Sequence, residues 1–117
     1  MRINDDDTDM DESLRILYQG ELFTGEVVET DDDGTVIRLN TYRDGRVDGV
    51  QREWFNDGML RSEYQASMGF PAGESREWHE NGQLALRQEF DEYGVLRKRE
   101  VWDEHGVFQE GRSVDSW

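Results

Sequence analysis

Residues 49–60 read GVQREWFNDGML, and the run continues as RSEYQ to Gln65. Gly49 to Phe55 is a short stretch with aromatic and β-branched character. Asn56, Asp57 and Gly58 follow, and Met59 to Gln65 is a second strand-like stretch. Asn-Asp-Gly between two such stretches signals a hairpin, because glycine, asparagine and aspartate tolerate the positive φ that tight turns need. This stretch decides the fold because it is copied along the chain. Gly34, Gly58, Gly82 and Gly106 are evenly spaced. The same constant step separates Gly25, Gly49 and Gly73, then Trp54, Trp78 and Trp102, then Val36, Leu60, Leu84 and Phe108. A fixed period in the range of roughly 20–50 residues marks a repeat architecture.

Working outward, residues 73–79 (GESREWH), Glu80-Asn81-Gly82 and residues 83–90 (QLALRQEF) make the next copy. The preceding copy is residues 25–30 (GEVVET), Asp31-Asp32-Asp33-Gly34 and residues 35–42 (TVIRLNTY). The last is residues 95–102 (VLRKREVW), Asp103-Glu104-His105-Gly106 and Val107 onward. Second glycine turns, Arg43-Asp44-Gly45 and Ser67-Met68-Gly69, join the hairpins, with Tyr93-Gly94 one residue out of step. The pattern predicts an all-β fold: an antiparallel β-hairpin array of about four units, with two strands in every period. Leu14 to Phe23 supplies a leading strand or half-repeat. Alternation places Arg52 with Trp54 on one face and Gln51, Glu53 and Phe55 on the other. Trp54, Trp78 and Trp102 are expected to stack as the core of a thin sheet, with Leu60, Leu84 and Phe108 beside them. The fourth copy has Arg97 where the glycine should be and Val101 in the glutamate column, as a capping repeat would.

The chain has 117 residues, a formal net charge of -15, 34% hydrophobic residues, a pI of about 4.3 and a mean hydropathy of -0.96. So few apolar side chains rule out a large core, while 11% aromatics at regular places permit a thin one. Cysteine is absent, so there is no disulfide framework and no thiolate metal site. No apolar run approaches the roughly 20 residues that span a bilayer. Residues 1–13 carry Asp5, Asp6, Asp7, Asp9, Asp11 and Glu12. They do not resemble a secretory signal and are expected to form an acidic, disordered tail ahead of one repeat domain over 14–117. A cytoplasmic location is expected. The acidic balance disfavours nucleic acid and anionic lipid as partners and favours a basic protein.

The units GVQREWFNDGMLRSEY and GESREWHENGQLALRQEF resemble the variant MORN repeat, roughly G-x-x-x-x-[WY]-[YFH]-x-[ND]-G-x-L. Their arrangement is similar to the YwqK-type antitoxin family, over about residues 14–110. Thr30 departs from the pattern by replacing the aromatic. The resemblance implies a meandering hairpin sheet and a binding module, an antitoxin or immunity protein, with a structural scaffold or adaptor as the alternative.

Few residues suggest chemistry. His79 and His105 are the only histidines, and repeat position explains both: His79 takes the place of Phe55, and His105 that of Asp57. Glu29-x-Asp31-x-Asp33-Gly34 superficially resembles a calcium loop, but Asn40 stands where the twelfth-position glutamate belongs. No phosphate loop, nucleophile elbow or zinc spacing is present. No catalytic residue, cofactor or metal is therefore expected, and the chain reads as a non-enzyme. Glu29, Glu53 and Glu77 recur, as do Arg52 and Arg76, which makes charged ladders that guard the sheet against aggregation. Asp31, Asp32, Asp33, Glu53 and Glu77 are the candidate partner-binding residues, an acidic face for a basic toxin domain such as a nuclease. Gly34, Gly58, Gly82 and Gly106 are assigned structural roles with the tryptophans. Tyr42, Tyr64, Phe70 and Trp117 are weaker candidates for aromatic anchors, and Pro71 marks a turn.

Overall fold

In the computed structural model, which describes residues 1–113, the chain is a twisted nine-stranded sheet with a three-stranded unit at its start. The strands are β1 (Arg2–Asn4), β2 (Thr8–Met10), β3 (Ile16–Tyr18), β4 (Glu21–Leu22), β5 (Gly25–Thr30), β6 (Val36–Arg43), β7 (Arg46–Trp54), β8 (Leu60–Ser67), β9 (Phe70–Trp78), β10 (Leu84–Phe90), β11 (Leu96–Trp102) and β12 (Phe108–Ser113). The large sheet runs β1-β5-β6-β7-β8-β9-β10-β11-β12, and the small one β2-β3-β4. From β5 to β12 every neighbour is antiparallel and consecutive in sequence. The molecule measures 46 × 40 × 20 Å.

The period resolves into two unequal steps. Gln51 pairs with Tyr64, the longer step, and Tyr64 pairs with Ser75, which is two positions shorter. The same alternation carries Val27 to Asn40, Ser75 to Gln88 and on to Arg99 and Arg112, all on one face.

Each longer step contains one five-residue turn. The first residue's amide donates to the fifth residue's carbonyl (Asp31 to Thr35 at 2.9 Å, Phe55 to Met59 at 2.8 Å), and the glycine donates back to the first carbonyl at 3.0 Å. Within these turns only the glycine adopts positive φ, as at Gly34 (83°) and Gly58 (90°), which is a type I turn closed by a left-handed residue. The Asp and Asn residues contribute acceptors instead. Asp57 Oδ1 takes the Met59 amide at 2.9 Å, and Asp31 Oδ1 takes those of Asp33 and Thr35 at 2.9 and 3.0 Å.

The shorter steps return through Asp44-Gly45 and Met68-Gly69, where both residues have positive φ, as a two-residue hairpin turn requires. The strand after each carries a bulge. In β7 it lies between Val47 and Gln51 and holds Gly49 (φ 100°); in β9 it lies between Ala72 and Ser75 and holds Gly73 (φ 70°). Asp91 to Val95 forms the longer turn instead, and β11 is then left with a single extra residue, Arg97. Turn and bulge trade one residue, so Gln88 to Arg99 spans the same short step as Tyr64 to Ser75. This explains both the out-of-phase Tyr93-Gly94 and the missing glycine at 97.

Several expectations are corrected. Residues 1–13 are not a disordered tail. Ile3 is 7% exposed and packs with Phe23 and Val27, against Ile16, Tyr18 and Tyr42. The pairing is parallel, Ile3 beside Val27, so the sheet is not wholly antiparallel. Gly25 makes it possible: Glu26 N–H donates to the Met1 carbonyl at 2.9 Å, and a Cβ on Gly25 would lie 2.5 Å from that oxygen. Asp5–Asp7 form a single 3-10 turn capped by Asn4. The segment Leu14 to Phe23 is not a single strand: it holds β3 and β4, which pair with each other, and β3 also pairs with β2. Pro71 lies inside β9 opposite Ala66 rather than in a turn. Trp54, Trp78 and Trp102 do pair with Leu60, Leu84 and Phe108, but they are half-buried. The buried core sits at the start of the sheet, where a second layer covers it. Trp117 lies outside the described residues.

Candidate functional site

The five-residue turns 31–35, 55–59, 79–83 and 103–107 come from alternate connections of a meander, so they line up along one rim of the sheet. Neighbouring turns touch. The Asn81 side-chain amide donates to the Glu104 carbonyl at 2.6 Å. His79 Nε2 lies 2.9 Å from the Trp102 carbonyl, which can only accept, so that nitrogen carries the proton. His79 therefore bridges two hairpins.

Together the four turns hold Asp31, Asp32, Asp33, Asp57, Glu80, Asp103 and Glu104 and no lysine or arginine. Sequence reasoning selected the first three and missed the other four. The repeat step was the available signal, because equal turn positions must stack. The hollow between the second and third turns is about 320 Å³, lined by Trp54, Phe55, Asn56, Asp57, Arg61 and Glu80. Arg61 stacks 5.3 Å from the Phe55 ring centroid there.

The expected site residues divide by role. Asp31 closes its own turn, as above. Asp32 and Asp33 are exposed, and their carboxylates make no hydrogen bond or ion pair among the described residues. Glu53 and Glu77 lie in one row of the sheet, Glu29–Arg38–Glu53–Ser62–Glu77, next to the rim. Within it Arg38 pairs with Glu29 at 3.0 Å and with Glu53 at 3.5 Å, and Arg61 reaches Glu53 at 3.6 Å. Glu53 thus faces two guanidinium groups. Glu77 has no ion pair among the described residues.

The opposite face carries a mixed ladder, Arg52–Glu63–Arg76–Arg87–Glu100. Arg52 meets Glu63 at 2.7 Å, and Arg87 meets Glu74 at 3.0 Å and Glu100 at 3.1 Å. Partial burial would raise the Glu74 carboxyl, but hydrogen bonds and charge from Arg87 and Arg76 hold it below its ordinary range.

Turn carboxylates are tuned by the backbone. The Val107 amide chiefly, with that of His105, holds Asp103 below its ordinary 3.8. The Val95 amide does the same for Asp91, and the Arg15 amide for Asp11. Tyr42 and Tyr64, expected as anchors, have hydroxyls pushed up by burial. Phe70 is exposed on the other rim, near Met68 and a hollow lined also by Met10 and Leu14.

Among the described residues no helix is long and apolar enough to cross a membrane. Comparison with known proteins adds little. No protein-family model matches the chain, and no curated protein matches it. The crystal structure of accessory secretory protein 1,2 and 3 in Streptococcus pneumoniae contains a similar chain, with 20% identity, a TM-score of 0.42 and coverage of 84% of this chain. The match spans only 19% of that protein's chain.

Proposed function

We propose that this chain acts by binding, as an antitoxin or immunity protein that neutralises a basic toxin domain in the cytoplasm. One observation carries the reading. The stacked turns gather seven carboxylates on a rim without a lysine or arginine of its own. Such a rim attracts a basic partner over long range and speeds its docking. The resemblance to variant MORN repeats and YwqK-type antitoxins points the same way. Asp32, Asp33, Glu80 and Glu104 make the contact.

The test is co-expression. The product of the adjacent reading frame is expressed in a host with and without this chain, and survivors are counted. Rescue is expected, and it is lost when Asp32, Asp33 and Glu80 become lysine while Asp31, which holds its turn, is kept. A toxic neighbour that this chain does not relieve would overturn the reading. A scaffold or adaptor is the second reading, favoured by exposed Met68, Phe70 and Tyr93 around the returning turns. In that reading a second partner docks there, apart from the acidic rim.

A further inference from the structure

The sheet has two edges of different character. One is β1, three residues long and followed at once by the 3-10 turn. The other is β12, six residues, every one exposed. A strand of this length with no neighbour on its outer side among the described residues offers a row of backbone donors and acceptors to another strand. The charge around it is unusual for this molecule. In a chain of net charge -15, β11 and β12 carry Arg97, Lys98, Arg99 and Arg112 against Glu100 and Glu110. This edge does not carry the chain's negative excess.

We propose that β12 pairs with β12 of a second copy, antiparallel about a two-fold axis at Gly111, to make a continuous sheet. The sequence of β12 selects the register. Such an axis is perpendicular to the sheet and passes through a residue pair, so that faces match across the junction. Centred on Glu110, the pairing sets Glu110 against its own copy; centred on Arg112, it sets Arg112 against itself. Like charges directly opposite destabilise a sheet. Centred on Gly111, Glu110 of each copy faces Arg112 of the other, within the regular stretch of β12 that follows the bulge at Gln109.

Three further observations fit. Arg112 has no ion-pair partner among the described residues, so the second copy's Glu110 supplies one. Glu110 is already held diagonally by Arg99, which makes each pair part of an Arg–Glu–Arg cluster. The Phe108 ring covers the bare Gly111 backbone, where a Cβ would lie 2.6 Å from its Cζ. In the dimer two such rings meet at the centre, on the face away from the charges. The junction is small, so its affinity falls in the micromolar-to-millimolar range.

Sedimentation equilibrium on the full chain tests this. Wild type is expected to show a monomer–dimer equilibrium. Arg112→Glu and Glu110→Lys each place like charges in register, and each should weaken the dimer at least ~10-fold. An equimolar mixture of the two variants restores opposite charges on both sides and should dimerise again. Circular dichroism checks that each variant keeps its fold. If either does not, hydrogen exchange on wild type decides, with residues 109–113 gaining protection as concentration rises. A wild type that stays monomeric at millimolar concentration overturns the proposal. So does a dimer that Arg112→Glu leaves unchanged.

Discussion

Leu14 is exposed and sits where the five-residue turns have glycine. Its φ is 64°, its amide donates to the Asp11 carbonyl at 3.0 Å, and Asp11 N–H donates to Arg15 at 3.0 Å. It is a further copy of the turn with the wrong residue, and a left-handed side chain costs about 1–2 kcal/mol. Leu14→Gly is therefore expected to stabilise the chain by about 1 kcal/mol, read from urea unfolding. A lower midpoint would show that Leu14 packs usefully instead. The turn aspartates make a second prediction at this scale. Asp11, Asp91 and Asp103 all have carboxyls lowered from 3.8, with the backbone amide at the fifth turn position as the largest cause. Their contribution to stability is complete above the unfolded value and is lost as pH falls through the lowered folded values. Melting temperature should therefore drop below about pH 4, and Asp103→Asn should flatten that drop. An unchanged acid limb in the variant would remove Asp103 from the account.

At the scale of the element, two strand glycines, Gly73 in its bulge and Gly25 beside β1, separate by what surrounds them. A Cβ on Gly73 meets nothing within 4 Å, so Gly73→Ala should cost only the backbone strain of its φ of 70°, about 1–2 kcal/mol. Gly25→Ala should cost more, because its Cβ also strikes the Met1 carbonyl and the Phe23 ring at 2.9 Å. Thermal melts of the two variants give the comparison, and equal losses would mean that β1 yields freely. The sequence made the turns legible because their glycines repeat. It hid the bulges, because a residue in a bulge and one in a turn both read as glycine punctuation. The difference lies in register, which appears only when strands pair. Arg97 looked like a decayed repeat for that reason, although its missing glycine follows from the longer turn at 91–95.

At the scale of the molecule, the misread part was residues 1–13. Six acidic residues outweighed one informative apolar residue, Ile3, whose partners Phe23 and Val27 lie far along the chain. Local composition cannot show a parallel pairing across that distance. Ile3→Ala should destabilise the whole chain by about 2 kcal/mol or more, since it opens a cavity in the best-covered part of the core. A disordered tail would give no change in the denaturant midpoint. The candidate site was half legible for a related reason. Acidic triplets such as Asp31-Asp32-Asp33 are visible in any chain, but single carboxylates such as Glu80 gain meaning only when turns stack.

The alternation of a longer and a shorter step between paired strands has a consequence for how such a chain can change in length. A block equal to one full period can be duplicated or lost without turning any side chain to the other face, and it lengthens both rims together. Each block adds two strands, about 10 Å of sheet. A single-residue insertion within a strand has no such freedom, unless a neighbouring turn shortens to absorb it, as the Asp91 turn and Arg97 do in reverse. The molecule is in this sense a ruler with fixed graduations, able to match partners of different span by gaining or losing whole divisions.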